Sequence, residues 1–104
     1  MTVQEIFEGK IGGKMKEKAD KVKEINAVYQ FKIKDAEPSD WVVDCVNVVV
    51  KSGISPEAKC TVTISLENLE KLIEKKLNPQ MAFITGKLKV QGNMGLALKL
   101  GAIL

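Results

Sequence analysis

The chain has 104 residues, 45% apolar and 28% charged with only 5% aromatics, which suits one modest domain with an aliphatic core. It holds no histidine and no arginine, which excludes histidine-based acid–base catalysis, Ser-His-Asp triads and His-containing metal sites, and removes the guanidinium that clamps phosphates or reads guanine edges. The net charge of +3 is uneven, because residues 1–34 carry eight lysines against five acids while the remainder carries eight against eight.

Thr2 and Glu5 form a T-x-x-E capping box at the start. Val3, Ile6, Phe7, Ile11 and Met15 follow at helical spacing, and Gly9, Gly12 and Gly13 weaken that helix enough to predict a kink. The lysine-rich run Lys14–Lys23 reads as a solvated face or a helix end. A lysine bias of this kind could also draw the chain transiently to an anionic membrane, at about 1 kcal/mol for each lysine near the surface.

From Asn26 the period changes to two. Ala27, Tyr29, Phe31 and Ile33 alternate with Val28, Gln30, Lys32 and Lys34, the pattern of a half-buried strand. Pro38 and Ser39 mark a turn. Trp41, Val43 and Cys45 then alternate against Val42, Asp44 and Val46, and a third strand begins near Val48. Ser52–Pro56 breaks the pattern, and Cys60–Ile64 alternates again. Ser65 is a candidate N-cap for a helix bearing Leu66, Leu69, Leu72 and Ile73 on one face. Asn78-Pro79 is a second cap followed by proline at the first helical position. Gly86 turns the chain into a last strand marked by Leu88 and Val90, and Asn93 caps a final helix. The order of elements predicts an α+β domain, an antiparallel sheet with helices packed on one face.

Cys45 and Cys60 are too few for a disulfide framework and lack CxxC spacing, so both are expected to be buried and reduced. The N-terminus has no basic-then-apolar signature of a secretory signal, and the longest apolar stretch is too short to span a bilayer.

The final segment, Asn93–Leu104, has only Asn93 and Lys99 as polar residues. As one helix of about 18 Å it would be apolar all round and must find cover. It either plugs one end of an apolar cavity or docks on another apolar surface, a second copy included. Met81-Ala82-Phe83-Ile84 is a second short apolar helix raising the same question.

The run Leu77-Asn78-Pro79-Gln80-Met81-Ala82-Phe83-Ile84-Thr85-Gly86-Lys87-Leu88-Lys89-Val90-Gln91-Gly92-Asn93-Met94-Gly95-Leu96-Ala97-Leu98-Lys99-Leu100 resembles the C-terminal signature of the sterol carrier protein 2 family. Asn26–Phe31, Trp41–Asp44 and Cys60–Ser65 resemble the family's upstream strands, so the similarity covers essentially the whole chain. The resemblance implies a five-stranded, mainly antiparallel sheet covered by helices, with an apolar tunnel between sheet and helices and one lipid-binding domain over residues 1–104. It implies non-catalytic binding and transfer of fatty acid, fatty acyl-CoA, sterol or phospholipid by a monomer in the peroxisome or cytoplasm. The chain departs from the family in ending Ala102-Ile103-Leu104 rather than in a Ser-Lys-Leu-like tripeptide, and in Cys45-Val46-Asn47-Val48 where relatives commonly have a Leu-Lys-Asn-Gly turn.

On this reading the tunnel wall consists of Phe7, Ile11, Phe31, Ile33, Trp41, Ile64, Leu72, Phe83, Ile84, Leu88, Val90, Met94 and Leu98. Lys14, Lys16 and Lys99 are the candidate cations for a polar head at its mouth. No cofactor and no metal is expected. An interaction module whose groove takes a partner's helix, or a lipid-presenting domain of a larger peroxisomal enzyme, is the alternative. Catalysis would fall to Asp44 or Cys60, and Cys60 has no histidine to activate it. Nucleic-acid binding lacks arginine and any basic-aromatic interleave.

Overall fold

The computed structural model describes residues 1–104. The reciprocal capping box forms as the sequence predicts: Glu5 N–H donates to Thr2 Oγ1 at 3.1 Å, and Thr2 N–H donates to Glu5 Oε1 at 3.0 Å. The first turns are a π-helix, Glu5–Ile11, in which Gly12 N–H reaches the Phe7 carbonyl. This wider turn places Ile6 and Ile11, five residues apart, on the buried side together with Phe7. Helix α1, Gly12–Glu17, continues it; the chain bends at Lys18, and α2 runs Ala19–Ile25. Lys10, Lys16, Lys18, Lys21 and Lys23 all face solvent.

Five strands follow: β1 Val28–Ile33, β2 Asp40–Asp44, β3 Val49–Ser52, β4 Cys60–Ile64 and β5 Leu88–Gly92. Their order across the sheet is β3-β2-β1-β4-β5. Three pairings are antiparallel and β1·β4 is parallel, so the sheet is mixed. The register sets rows of inward side chains, among them Val50–Val43–Tyr29–Cys60 and Trp41–Phe31–Val62–Val90. Helix α3, Leu66–Ile73, is capped by Ser65 and buries Leu69 and Leu72 against the N-terminal helices. Phe7 stacks on Trp41 with ring centroids 4.9 Å apart and meets Phe31 edge-on at 5.3 Å.

One sequence expectation changes. Strand β1 is not half-buried: Val28 and Gln30 are buried on the outer face, where Lys32 stays exposed. The loop after β3 folds over that face and Gln30 staples it, donating from Nε2 to the Gly53 and Trp41 carbonyls and accepting Ser55 N–H at 2.9 Å. Every polar atom of this buried amide is thus used, which makes its burial tolerable. The β2–β3 turn, whose sequence Cys45-Val46-Asn47-Val48 departs from the family's glycine turn, closes without glycine. Val48 adopts φ +57, and Asp44 Oδ1 accepts Val46 N–H and Asn47 N–H to hold the turn.

Candidate functional site

Helix α4, Pro79–Ile84, begins at Asn78, whose side chain accepts Gln80 N–H at 2.8 Å. Its six residues end in a Schellman motif: Lys87 N–H donates to the Ala82 carbonyl and Gly86 N–H to that of Phe83, with Gly86 at φ +77. The helix touches the protein through Ala82, which is buried, and leaves Phe83 and Ile84 beside β5 without a full cover.

Strand β5 ends at Gly92 (φ +99), where an added Cβ would lie 2.5 Å from the Lys59 carbonyl oxygen. Only glycine fits that approach. The chain then enters α5, Met94–Ala97, capped by Asn93. The twelve-residue helix expected here does not form. Tyr29 Oη, buried beneath the sheet's inner face, donates to the Leu96 carbonyl at 2.6 Å, and that carbonyl also takes Lys99 N–H at 3.1 Å in a tightened turn. After this the chain continues as a short 3-10 turn, Leu100–Ala102. The break turns Leu96, Leu100, Ile103 and Leu104 inward and leaves Met94 and Leu98 outward. Burial, and then the nearby thiols Cys45 and Cys60, push the Tyr29 phenol above its ordinary value, which keeps it a donor.

Between α4, β5 and this terminal segment lies a groove of about 550 Å3. Leu88 and Val90 form its floor, Phe83 and Ile84 one wall, and Met94, Leu98 and Leu100 the other. It is open-sided: Ile84 is 74% and Leu98 73% exposed at its rim. Of the thirteen side chains expected to line a tunnel, the structure brings six together here: Phe83, Ile84, Leu88, Val90, Met94 and Leu98. The other seven, Phe7, Ile11, Phe31, Ile33, Trp41, Ile64 and Leu72, are buried in the main core, packed against one another and not around this space. Aliphatic spacing alone does not separate a core position from a wall position. Leu100 is a wall residue absent from the expected set; its place follows from the break at Leu96, which no local pattern announces.

Lys14 is half-buried and donates to the Leu104 carbonyl at 2.8 Å and that of Gly101 at 3.3 Å. Lys16 and Lys99 are exposed, away from these groove residues and at its outer edge respectively. The catalytic alternatives gain no support. Burial, and then the Asp44 charge, push the Cys45 thiol up to about 11, and burial raises that of Cys60, so both stay protonated and poorly nucleophilic at neutral pH. Asp44 is engaged in its turn. No group of three His, Cys, Asp or Glu is placed to hold a metal, and no helix is long and apolar enough to cross a membrane.

Comparison with known proteins decides the family. The profile of the SCP-2 sterol transfer family matches residues 7–104. The chain belongs to that family. Sterol carrier protein 2 of Oryctolagus cuniculus is 45% identical over 86 residues, which is 76% of this chain and 15% of that protein. Peroxisomal multifunctional enzyme A of Dictyostelium discoideum is 42% identical over 103 residues, 94% of this chain and 22% of the enzyme. The chain therefore spans less than a quarter of either relative. Among solved structures, palmitated SCP2L2 from Aedes aegypti superimposes with a TM-score of 0.72 at 27% identity, covering 97% of this chain and 92% of that one. The α+β arrangement expected from the sequence is the arrangement of this family.

Proposed function

We propose that residues 1–104 act as one lipid-binding unit, which holds an aliphatic tail in the groove between α4, β5 and the terminal segment and releases it unchanged. The observation that carries this reading is the groove itself: an unfilled, hydrocarbon-lined space in the size range of small-ligand sites, roughly 300–1,000 Å3. A tail of twelve or more methylenes gains on the order of 10 kcal/mol gross on leaving water, before the costs of ordering it are subtracted. No catalyst is needed for such a task. Palmitate in a family relative of known structure supports a fatty-acyl ligand; fatty acyl-CoA, sterol and phospholipid are further candidates for the same surface. The six grouped residues Phe83, Ile84, Leu88, Val90, Met94 and Leu98 are the proposed wall.

The rim residues Ile84 and Leu98, with Lys87 and Lys99 exposed nearby in the chain, suit brief contact with an anionic membrane during exchange of the lipid. The match to part of a multifunctional enzyme favours a second reading, in which the same groove presents acyl substrates to a larger peroxisomal protein; otherwise the setting is cytoplasmic. Native mass spectrometry of the protein incubated with palmitate tests the common core of both. One bound fatty acid per chain is expected. A spectrum of bare protein at saturating palmitate would defeat the proposal, and a peptide helix that binds while palmitate does not would establish the groove as an interaction surface.

A further inference from the structure

Nine large apolar side chains are exposed to solvent, and they are unevenly placed. Five belong to the two elements that flank the groove: Met81, Phe83 and Ile84 on α4, and Met94 and Leu98 on the terminal segment. The other four, Met1, Val46, Val49 and Ile54, lie at the N-terminus, in the β2–β3 turn and β3, and in the loop after it. Single exposed apolar residues need no account, whereas a cluster marks an interaction surface.

The charge on the same elements is one-sided. Residues 77–104 carry Lys87, Lys89 and Lys99 and neither aspartate nor glutamate. All three lysines are exposed, and none forms an ion pair. Lys89 alternates with Leu88 and Val90 along β5 and projects from the sheet's outer face, which leaves Lys87 after α4 and Lys99 beside Leu98. Past Leu98, a shallow recess is lined by Lys99 together with Lys21 and Glu24 of α2, two cations against one acid. The lysine-rich N-terminal helices differ in both respects. Their lysines are interspersed with Glu8, Glu17, Asp20 and Glu24, and no large apolar side chain is exposed between Thr2 and Ile25. That face can be attracted to an anionic plane but has nothing to bury in it.

A second copy of the chain would set two like-charged rims together, which Coulomb repulsion opposes. An anionic bilayer answers both features: it takes up exposed hydrocarbon, and each lysine close to its surface adds about fivefold in affinity. We propose that the open side of the groove, bordered by α4 and the terminal segment, is the face that docks on an anionic membrane, and that the N-terminal lysine run is not. The inference rests on the groove being a lipid site and fixes which face meets the membrane. The bilayer then covers the side of the groove that the protein leaves open.

Cosedimentation with phosphatidylcholine vesicles, with and without phosphatidylserine, tests this. Two triple variants remove equal charge from different places: Lys21→Gln, Lys87→Gln, Lys99→Gln at the groove, and Lys10→Gln, Lys16→Gln, Lys23→Gln on the N-terminal helices. The first should weaken binding to the anionic vesicles at least tenfold and the second by less than threefold. Met81→Ser, at an exposed position outside the groove wall, should weaken vesicle binding about threefold or more while palmitate uptake, read by native mass spectrometry, stays at the native level. Equal losses in the two triple variants, or a larger loss in the second, would overturn the assigned face. Native protein that takes up palmitate but ignores anionic vesicles would remove the docking face and leave the groove standing, whereas bare protein at saturating palmitate would remove the groove reading and this inference with it. A dimer in sedimentation velocity that Met81→Ser dissociates would make a second copy the occupant and refute the proposal.

Discussion

Replacing Tyr29 with Phe removes one oxygen and tests how the groove wall is anchored. The Tyr29 hydroxyl, on the central strand β1, holds the Leu96 carbonyl at 2.6 Å, across 67 residues of sequence. A buried hydrogen bond contributes about 0.5–1.5 kcal/mol net. The orphaned carbonyl keeps Lys99 N–H at 3.1 Å, so the full desolvation penalty is not incurred and the cost should be about 1 kcal/mol. For a domain of this size that lowers Tm by roughly 4 °C or a little more. The bond is made only by the segment after Asn93, so the loss should appear there: hydrogen exchange at amides 94–104 should speed by about fivefold where the segment opens locally. Palmitate affinity should fall by no more than that factor. A Tm within 1 °C of the native protein, together with unchanged exchange over 94–104, would show that the phenol does not anchor the wall.

Leu98→Asp should leave Tm within about 2 °C, since the side chain is largely exposed, yet weaken palmitate at least tenfold by setting a carboxylate against the tail; intact binding in a folded variant would take Leu98 out of the wall. Gly86→Ala and Gly92→Ala both force alanine to positive φ, but only the second drives a Cβ to 2.5 Å from a carbonyl oxygen; the first should cost about 1 kcal/mol and the second roughly 3 kcal/mol or more in a denaturant titration, and equal costs would refute the close approach. Asp44 is pushed up by burial, but bonds from the Asn47 side chain and from the Asn47 and Val46 amides, with Lys51 nearby, outweigh this and hold it below its ordinary 3.8. A carboxyl lowered on folding stabilises the fold fully above about pH 5 and loses that contribution as pH falls through the folded value. The stability gap between the native protein and Asp44→Asn should therefore shrink on acidification from pH 7 to 3; a gap constant with pH would contradict this.

Much of the local structure was legible from short-range chemistry. Thr2, Ser65, Asn78 and Asn93 each cap where the sequence places a helix start, because a cap depends on residues only two or three positions apart. Strands β1, β2, β4 and β5 follow from alternation. What was not legible depends on distant partners. Gln30 reads as a solvent position until the loop at Gly53–Ser55 is seen to fold over it. The terminal segment reads as one helix until Tyr29 takes the Leu96 carbonyl. The candidate wall divided for the same reason: Phe31 and Phe83 are equally apolar, and only the tertiary arrangement puts Phe31, on the central strand β1, beneath Phe7, and Phe83, on α4, at an open edge.

The parallel pairing of β1 with β4 bears on how the molecule assembles. Tyr29 opposes Cys60 across a loop that contains β2 and β3, and β5 can add only once β4 has docked. Contacts so distant in sequence form slowly and late, and until they do, the edge of β4 and the apolar residues destined for the groove face solvent, where partly formed chains tend to aggregate. A hydrocarbon present at that moment would serve as a missing core side chain. Refolding yield, and not merely the final melting point, should therefore rise with added fatty acid.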